Sequence, residues 1–164
     1  MEIHYFLGVV KEIELAATTH EFAQMAASLL RLADAGTGEV TFAAANGAPP
    51  KAPGQELSEF RVRLGSGPLA LTVERGSDLW ACGEPEAIAL LARNMPAEPS
   101  LPPGYHVHFE QPGRERFVSQ ESIPLIMMVA NDLDHSVPKQ QHRGYFTNQE
   151  VHDADADAQA DPRY

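Results

Sequence analysis

The chain lacks the residues on which several structural classes depend. It has one cysteine in 164 residues, Cys82, so it can form neither an internal disulfide nor a paired-cysteine zinc motif. No segment reaches the roughly 18 consecutive apolar residues that span a bilayer. The apolar run at residues 5–10 is too short for a secretion signal and has no basic start. These absences favour a reducing compartment, and we expect the protein to be cytoplasmic.

Basic residues are also scarce. Lys and Arg number 12 against 23 Asp and Glu, which gives a formal net charge of −11. Such a charge argues against nucleic acid or an anionic membrane as the main partner, because both are negatively charged. It favours a basic protein partner, although a net negative charge also serves simply to keep a small domain in solution.

Sequence motifs of common enzyme classes are missing as well. The chain has no GxSxG, no GxxxxGK[ST], no GxGxxG after a predicted strand and no HExxH. The sequence therefore gives no indication of a phosphate-binding loop, a hydrolase nucleophile elbow or a zinc-protease helix. We expect no cofactor. Cys82 lacks a surrounding nucleophile motif and is expected to behave as a small hydrophobe.

One apolar pattern occurs twice. Shifted by 66 positions, Ile13 and Leu15 fall on Leu79 and Ala81, and the spacing of a helix matches at the same shift. Val40 and Phe42 match Val107 and Phe109 at a shift of 67, whereas SGPLALTV from residue 66 matches SIPLIMMV from residue 122 at 56. The pattern predicts pseudo-repeats at about residues 12–74 and 78–130, with an extra loop at residues 43–56 in the first.

Helix and strand periodicities define the predicted elements. A helix is expected from Thr18 or Thr19 to Gly36, and a second begins at Pro85 and ends before Pro96. Extended segments are predicted at residues 3–17, 39–43, 57–64, 69–74, 78–82, 105–110, 116–119 and 123–129.

These elements predict an α+β fold of two layers. A mostly antiparallel sheet carries two helices on one face and is built from a duplicated strand-helix-strand-strand-strand unit. Residues 1–130 form one domain, and residues 131–164 form an acidic, flexible tail because they contain few apolar residues.

Strand alternation assigns side chains to the two faces of the predicted sheet. The covered face carries apolar side chains, namely Ile13, Leu15, Val40, Phe42, Val62, Leu64, Leu69, Leu71, Val73, Leu79, Ala81, Val107, Phe109, Leu125, Met127 and Val129. The open face carries mixed side chains, namely Glu12, Glu14, Glu39, Thr41, Arg61, Arg63, Thr72, Trp80, Cys82, His106, His108, Glu110, Ile126 and Met128. An open face that combines an aromatic side chain, apolar residues, charges of both signs and paired histidines is typical of a protein-binding patch, and Trp80 is its candidate hot spot. The alternative is that the tail or a second copy of the chain covers it.

Two histidines two residues apart offer a different function. His106 and His108 point to the same side of a strand, and Glu110 continues the series. With a third ligand this spacing can hold zinc or copper, although exposed strand histidines are more often only solvated.

Several segments resemble the immunity protein 32 family of bacterial polymorphic-toxin systems. They are LLRLADAGTGEVTF, SGPLALTV, YHVHFE and SIPLIMMV, within residues 13–129. The resemblance implies a cytoplasmic antidote that binds a cognate toxin domain and blocks its active site, and it implies no catalytic residues. It does not define the toxin, for which a nuclease and an ADP-ribosyltransferase are both open.

The leading hypothesis is therefore an immunity protein without enzymatic activity, which binds no nucleic acid and no membrane. The expected toxin-binding residues are Trp80, His106, His108, Glu110, Arg61, Arg63, Ile126, Met128, Asp132 and Asp134. The alternatives are a small metal- or ligand-binding enzyme that uses His106, His108 and Glu110, and a homo-oligomeric interaction module. The oligomeric state is open.

Truncation tests the predicted domain boundary. A chain that ends at Asn131 should remain folded, because the removed residues have little apolar surface to contribute to a core. We expect its melting temperature to stay within about 3 °C of the full chain, which corresponds to less than about 1 kcal/mol. Circular dichroism measures this, and a large drop in melting temperature would show that the tail belongs to the fold.

Overall fold

The computed structural model describes residues 1–7, 11–45, 54–74, 78–111 and 116–131. All but the first residue of the predicted acidic tail lie outside these ranges. The described elements, in chain order, are β1 (Glu2–Leu7), β2 (Lys11–Ala17), α1 (Thr19–Ala35), β3 (Glu39–Ala43), β4 (Gly54–Glu56), β5 (Glu59–Leu64), β6 (Ala70–Glu74), β7 (Asp78–Gly83), α2 (Pro85–Arg93), β8 (His106–Phe109) and β9 (Leu125–Val129).

The strands form two sheets. The five-stranded sheet has the order β4-β1-β2-β9-β8, and the four-stranded sheet has the order β3-β5-β7-β6. Most neighbours are antiparallel, but β2 pairs with β9 and β5 pairs with β7 in parallel. The predicted α+β class and its two helices are confirmed. The prediction of a single sheet differs from the structure, because alternation shows which side of a strand is buried and not which strand lies beside it.

The chain contains two topologically equivalent units whose second hairpins are exchanged. The first unit, β1-β2-α1-β3-β5, contributes β1 and β2 to the five-stranded sheet and β3 and β5 to the four-stranded sheet. The second unit, β6-β7-α2-β8-β9, does the reverse. Each parallel contact therefore joins one unit to the other.

In this topology, the strands that are equivalent in the two units differ from those that the sequence pattern predicts. Ile13 pairs with Leu125, and its equivalent Leu79 pairs with Phe60, so β9 corresponds to β5. The apolar sequence pattern instead matches β9 with β6. In the structure, however, β6 corresponds to β1. The two segments share an alternating apolar pattern because β6 and β9 both have one buried face, and such a pattern does not reveal a strand's place in a sheet.

Local signals explain where α1 begins and ends. Thr18 is its N-cap, since Thr18 Oγ1 accepts a hydrogen bond from the Glu21 N–H at 3.1 Å, and the Glu21 carboxylate accepts one from the Thr18 N–H at 2.9 Å. Gly36 ends the helix in the left-handed region at φ 72°, where glycine has no steric cost. The helix buries Phe22, Met25, Leu29 and Leu32.

The second helix is shorter and begins with Pro85 in its first turn, where a missing N–H leaves no bond unmade. It packs against α1, and both helices contact the four-stranded sheet, α1 through β3 and β5 and α2 through β7. None of the described helices is long and apolar enough to cross a membrane.

One apolar core receives side chains from both sheets and both helices. Each side chain predicted on the covered face is buried or half-buried, and none of those predicted on the open face is buried. The predicted inner and outer sides of the individual strands therefore agree with the structure, although the strands belong to two sheets. Two other expectations fail: β4 lies where a loop was expected, and the strand predicted at residues 116–119 is only a single bridge between Val118 and Leu69.

The ion pair at the N-terminus of α1 should make the stability of the protein depend on pH. Glu21 Oε1 lies 2.8 Å from the ammonium group of Met1. Burial acts to raise the pKa of Glu21, but the hydrogen bond and charge of the ammonium group and the hydrogen bonds from Thr18 together lower the pKa below its ordinary value. A carboxyl group with a lowered pKa stabilises the fold above its unfolded pKa, and this stabilisation is lost as the pH falls through the folded pKa.

We therefore expect Glu21→Gln to be less stable than the wild type at about pH 6 and to approach it at about pH 3. The side chain is 38 % exposed, so solvent screening holds the difference to about 1 kcal/mol. Urea unfolding at several pH values measures it. Glu86→Gln, in the first turn of α2 and 67 % exposed, is the matched control. A constant difference between Glu21→Gln and the wild type at all pH values would contradict the assignment.

Candidate protein-binding site

Trp80 lies at the centre of the outer face of the four-stranded sheet. It is half-buried on β7, and the strand register places Arg61 beside it on β5 and Thr72 on β6. Thr41 on β3 completes the row across the sheet. Thr41, Arg61, Trp80 and Thr72 therefore share one face, and this surface is called the Trp80 face below.

Two guanidinium groups lie close to the indole ring. Arg61 Cζ lies 5.3 Å and Arg63 Cζ 5.8 Å from the ring centroid, distances at which cations are attracted to the ring face. The chain has no other tryptophan. Both arginines belong to β5, so two planar cations contact the ring from one neighbouring strand.

The two arginines differ in their surroundings. Arg61 forms a salt bridge to Glu59 at 2.6 Å and lies 3.6 Å from an oxygen of Asp78, so its charge is compensated and its side chain is held in place. Arg63 is exposed, and within the described part of the chain no ion pair joins it to a carboxylate. The donors of Arg63 are therefore available to a partner, while those of Arg61 orient the ring.

Four of the remaining predicted residues lie on the other sheet. His106 and His108 are exposed on β8, directly opposite Met128 and Ile126 on β9. The expectation that Trp80 and the arginines share one open face with the histidines is therefore not met, because Trp80, Arg61 and Arg63 belong to the four-stranded sheet. Glu110 is half-buried just beyond β8, and Asp132 and Asp134 lie outside the described residues.

Among the described residues, no third metal-ligating side chain lies beside the histidine pair. The ring centroids of His106 and His108 are 5.2 Å apart in an edge-on arrangement, and His106 Nδ1 lies 3.3 Å from the carbonyl oxygen of Gly104. Across the described ranges, no group of three or more His, Cys, Asp or Glu side chains is arranged to hold a metal ion. The metal-enzyme hypothesis gains no support from this geometry.

The sequence did not reveal a second row of polar side chains on the five-stranded sheet. The register aligns Glu56, His4, Glu14 and Ile126 with His108 across β4, β1, β2, β9 and β8. His4 Nε2 also lies 3.6 Å from Glu2 Oε2. Alternation in β1 showed that His4 and Glu2 share a face, but only the pairing of distant strands shows which residues lie beside them.

Cys82 has no base beside it in the strand register. Its partners on the neighbouring strands are Arg63 and Ala70, and a Cβ atom added to Gly65 would lie 2.6 Å from its sulfur. A thiol nucleophile of the common kind needs an adjacent base and access for the substrate. The surroundings of Cys82 fit a packing role.

Comparisons with known proteins give no relative. No protein-family model matches the chain, and no curated protein or solved structure is significantly similar to it. The function of the site must therefore be argued from its own geometry.

Fluorescence of the single tryptophan can test the positive character of its surroundings. Among the described residues no carboxylate forms an ion pair with Arg63, although Glu39 lies opposite it in the strand register, so the guanidinium group should concentrate anions near the ring. We expect iodide to quench Trp80 more strongly than caesium, and Arg63→Gln to reduce iodide quenching by about half. Thr72→Gln, on the same face, is the control and should leave the quenching unchanged. Equal quenching of the wild type by the two ions would contradict this description.

Proposed function

We propose that this protein is a cytoplasmic immunity protein that binds a cognate toxin domain through the Trp80 face and blocks the toxin's active site. It acts as a stoichiometric inhibitor and carries out no chemistry of its own. The partner is a basic enzyme domain, such as a nuclease or an ADP-ribosyltransferase.

The main support is the composition of the Trp80 face. Tryptophan and arginine are the residues that most often dominate the energy of protein interfaces, particularly where they lie together at the centre of a patch. Trp80 is prearranged by Arg61, which Glu59 and Asp78 hold in turn, so little side-chain freedom is lost when a partner binds. The threonines at both ends of the row provide a polar rim.

The charge of the chain supports a basic partner. With a net charge of −11, the protein attracts a positively charged toxin and speeds their encounter. A toxin that binds nucleic acid or a phosphorylated cofactor has a cationic cleft, and the net negative charge of this protein attracts such a toxin over a distance. Glu12, Glu14 and Glu56 lie on the five-stranded sheet and add to this acidic character.

The resemblance to the immunity protein 32 family is the reason for proposing a toxin as the partner. Its segments correspond to the end of α1 with β3, to β6, and to β8 and β9, which belong to both sheets. These segments include strands of the core and the edge of the Trp80 face. The resemblance concerns the framework, and the Trp80 face provides the binding surface.

Alanine substitution of Trp80 tests the proposal. The toxin is to be sought in the neighbouring reading frames as a large secreted protein with a basic C-terminal domain, and the affinity for that domain can be measured by calorimetry. Antidotes of lethal enzymes need dissociation constants of about 1 nM or less, which correspond to about −12 kcal/mol. We expect Trp80→Ala to weaken binding at least about 30-fold, as at a hot spot worth about 2 kcal/mol.

Thr72→Ala is the matched control, because Thr72 is exposed in the same row of the same sheet. It should change the affinity less than about twofold, since most exposed rim residues contribute little. Circular dichroism confirms that both variants are folded. An affinity of Trp80→Ala within twofold of the wild type would remove the Trp80 face from the interface. Failure of the wild type to bind or inhibit the toxin would overturn the proposed function itself.

A further inference from the structure

The two edge strands of the four-stranded sheet, β6 and β3, differ in the hydrogen bonds that their outer sides form. On the β6 edge, Leu71 N–H donates to Ser122 Oγ at 3.0 Å, and Leu71 O accepts from Ile123 N–H at 3.0 Å. On the β3 edge, no other described strand pairs with the side away from β5. Proteins usually cover or disrupt such an edge because its free N–H and C=O groups can pair with another strand.

The hydrogen-bond pattern identifies the free groups of β3. Gly38 O accepts from Leu64 N–H, and Ala44 N–H donates to Ser58 O, so the even-numbered residues of β3 face β5. By alternation, the backbone groups of Glu39, Thr41 and Ala43 point to the free edge. Their side chains are exposed, while those of Val40 and Phe42 are half-buried on the inner side.

A groove runs between this edge and α1. Its volume is about 440 Å³, and one wall is formed by residues 40–43 of β3. Glu21, Gln24, Met25 and Ser28 form the other wall along one side of α1, and Met1 closes one end. Met25, Val40 and Phe42 make its apolar part, so the groove offers contacts for apolar side chains next to a line of free backbone groups.

Just beyond β3, the protein's own N-terminal residue is hydrogen-bonded on the side of the free edge. Ala45 N–H donates to the carbonyl oxygen of Met1 at 2.8 Å, whereas Ala44 N–H before it donates toward β5. The backbone of Met1 thus lies on the free side and continues into the groove, where its ammonium group contacts Glu21. Polypeptide backbone is therefore accommodated at the boundary of the groove.

We propose that an extended segment of a partner polypeptide pairs antiparallel with the free edge of β3 and places its apolar side chains in the groove against α1. The added strand lies next to Thr41, in the same row as Arg61 and Trp80, so it is continuous with the Trp80 face. The identity of that partner as a toxin domain rests on the proposed function, whereas the strand-binding site does not. Backbone pairing supplies affinity in this mode of recognition, and the groove selects alternate side chains.

Antiparallel pairing determines which side chains of the bound segment enter the groove and which point outward. Residues directly opposite each other have side chains on the same face, so those opposite Thr41 point outward and their neighbours point into the groove. The bonding N–H groups belong to the outward residues. The probe is therefore an acetylated and amidated heptapeptide in which three valines alternate with two threonines between terminal lysines, with the valines facing the groove.

Amide exchange of the full-length protein, measured by NMR, tests the site. At a concentration about ten times its dissociation constant, the peptide should slow exchange at Thr41 and Ala43 about tenfold, because only unbound molecules exchange. The same peptide N-methylated at its two threonines should have no effect, and one N-methylated at its central valine should retain the effect. The β6 amides should not change.

Thr41→Pro removes the central edge donor without removing a bond to β5, because that N–H faces away from the sheet. We expect this variant to lose peptide protection at Ala43 while its Trp80 fluorescence stays unchanged. Absence of protection by the unmodified peptide at millimolar concentration, or protection by the threonine-methylated peptide, would overturn the strand-binding site. Either result would leave the affinity of the toxin for Trp80→Ala as a separate test of the proposed function.

Discussion

The parallel pairing of β2 with β9 and of β5 with β7 is the contact on which the rest of the structure depends. Each pair joins strands from opposite halves of the chain, so neither sheet exists without both halves. These central strands contribute Ile13, Leu15, Phe60, Val62 and Leu79 to the core, all of them fully buried. The burial of this apolar surface drives the association of the two halves. The Trp80 face exists because that pairing brings β5 beside β7.

Local sequence rules predicted a large part of this fold. The cap at Thr18, the stop at Gly36 and the start at Pro85 depend on residues close in sequence, and strand alternation separated buried from exposed side chains. The number of sheets and the order of strands were not predictable in this way, since they depend on contacts between distant residues. The apolar patterns of β6 and β9 look alike although β6 is an edge strand and β9 a central one.

The same limit applies to the candidate site. Alternation correctly placed Trp80, Arg61 and Arg63 on an open face, and the register then explained why they are close. It could not show that His106 and His108 belong to a different sheet, because no local pattern links β8 to β9 and β2. The groove beside β3 was equally hidden, since it depends on α1 lying along an edge that the sequence does not identify as one.

The exchange of hairpins between the halves also shapes how the molecule must assemble. Ile13 and Leu125 are adjacent across the sheet although most of the chain separates them in sequence. Contacts of such long range form slowly, because the loop between them must be closed before any energy is gained. During synthesis the first half leaves the ribosome with β2 exposed on one side until β9 follows. The five-stranded sheet of a newly made chain is therefore completed only after β9 has been synthesised.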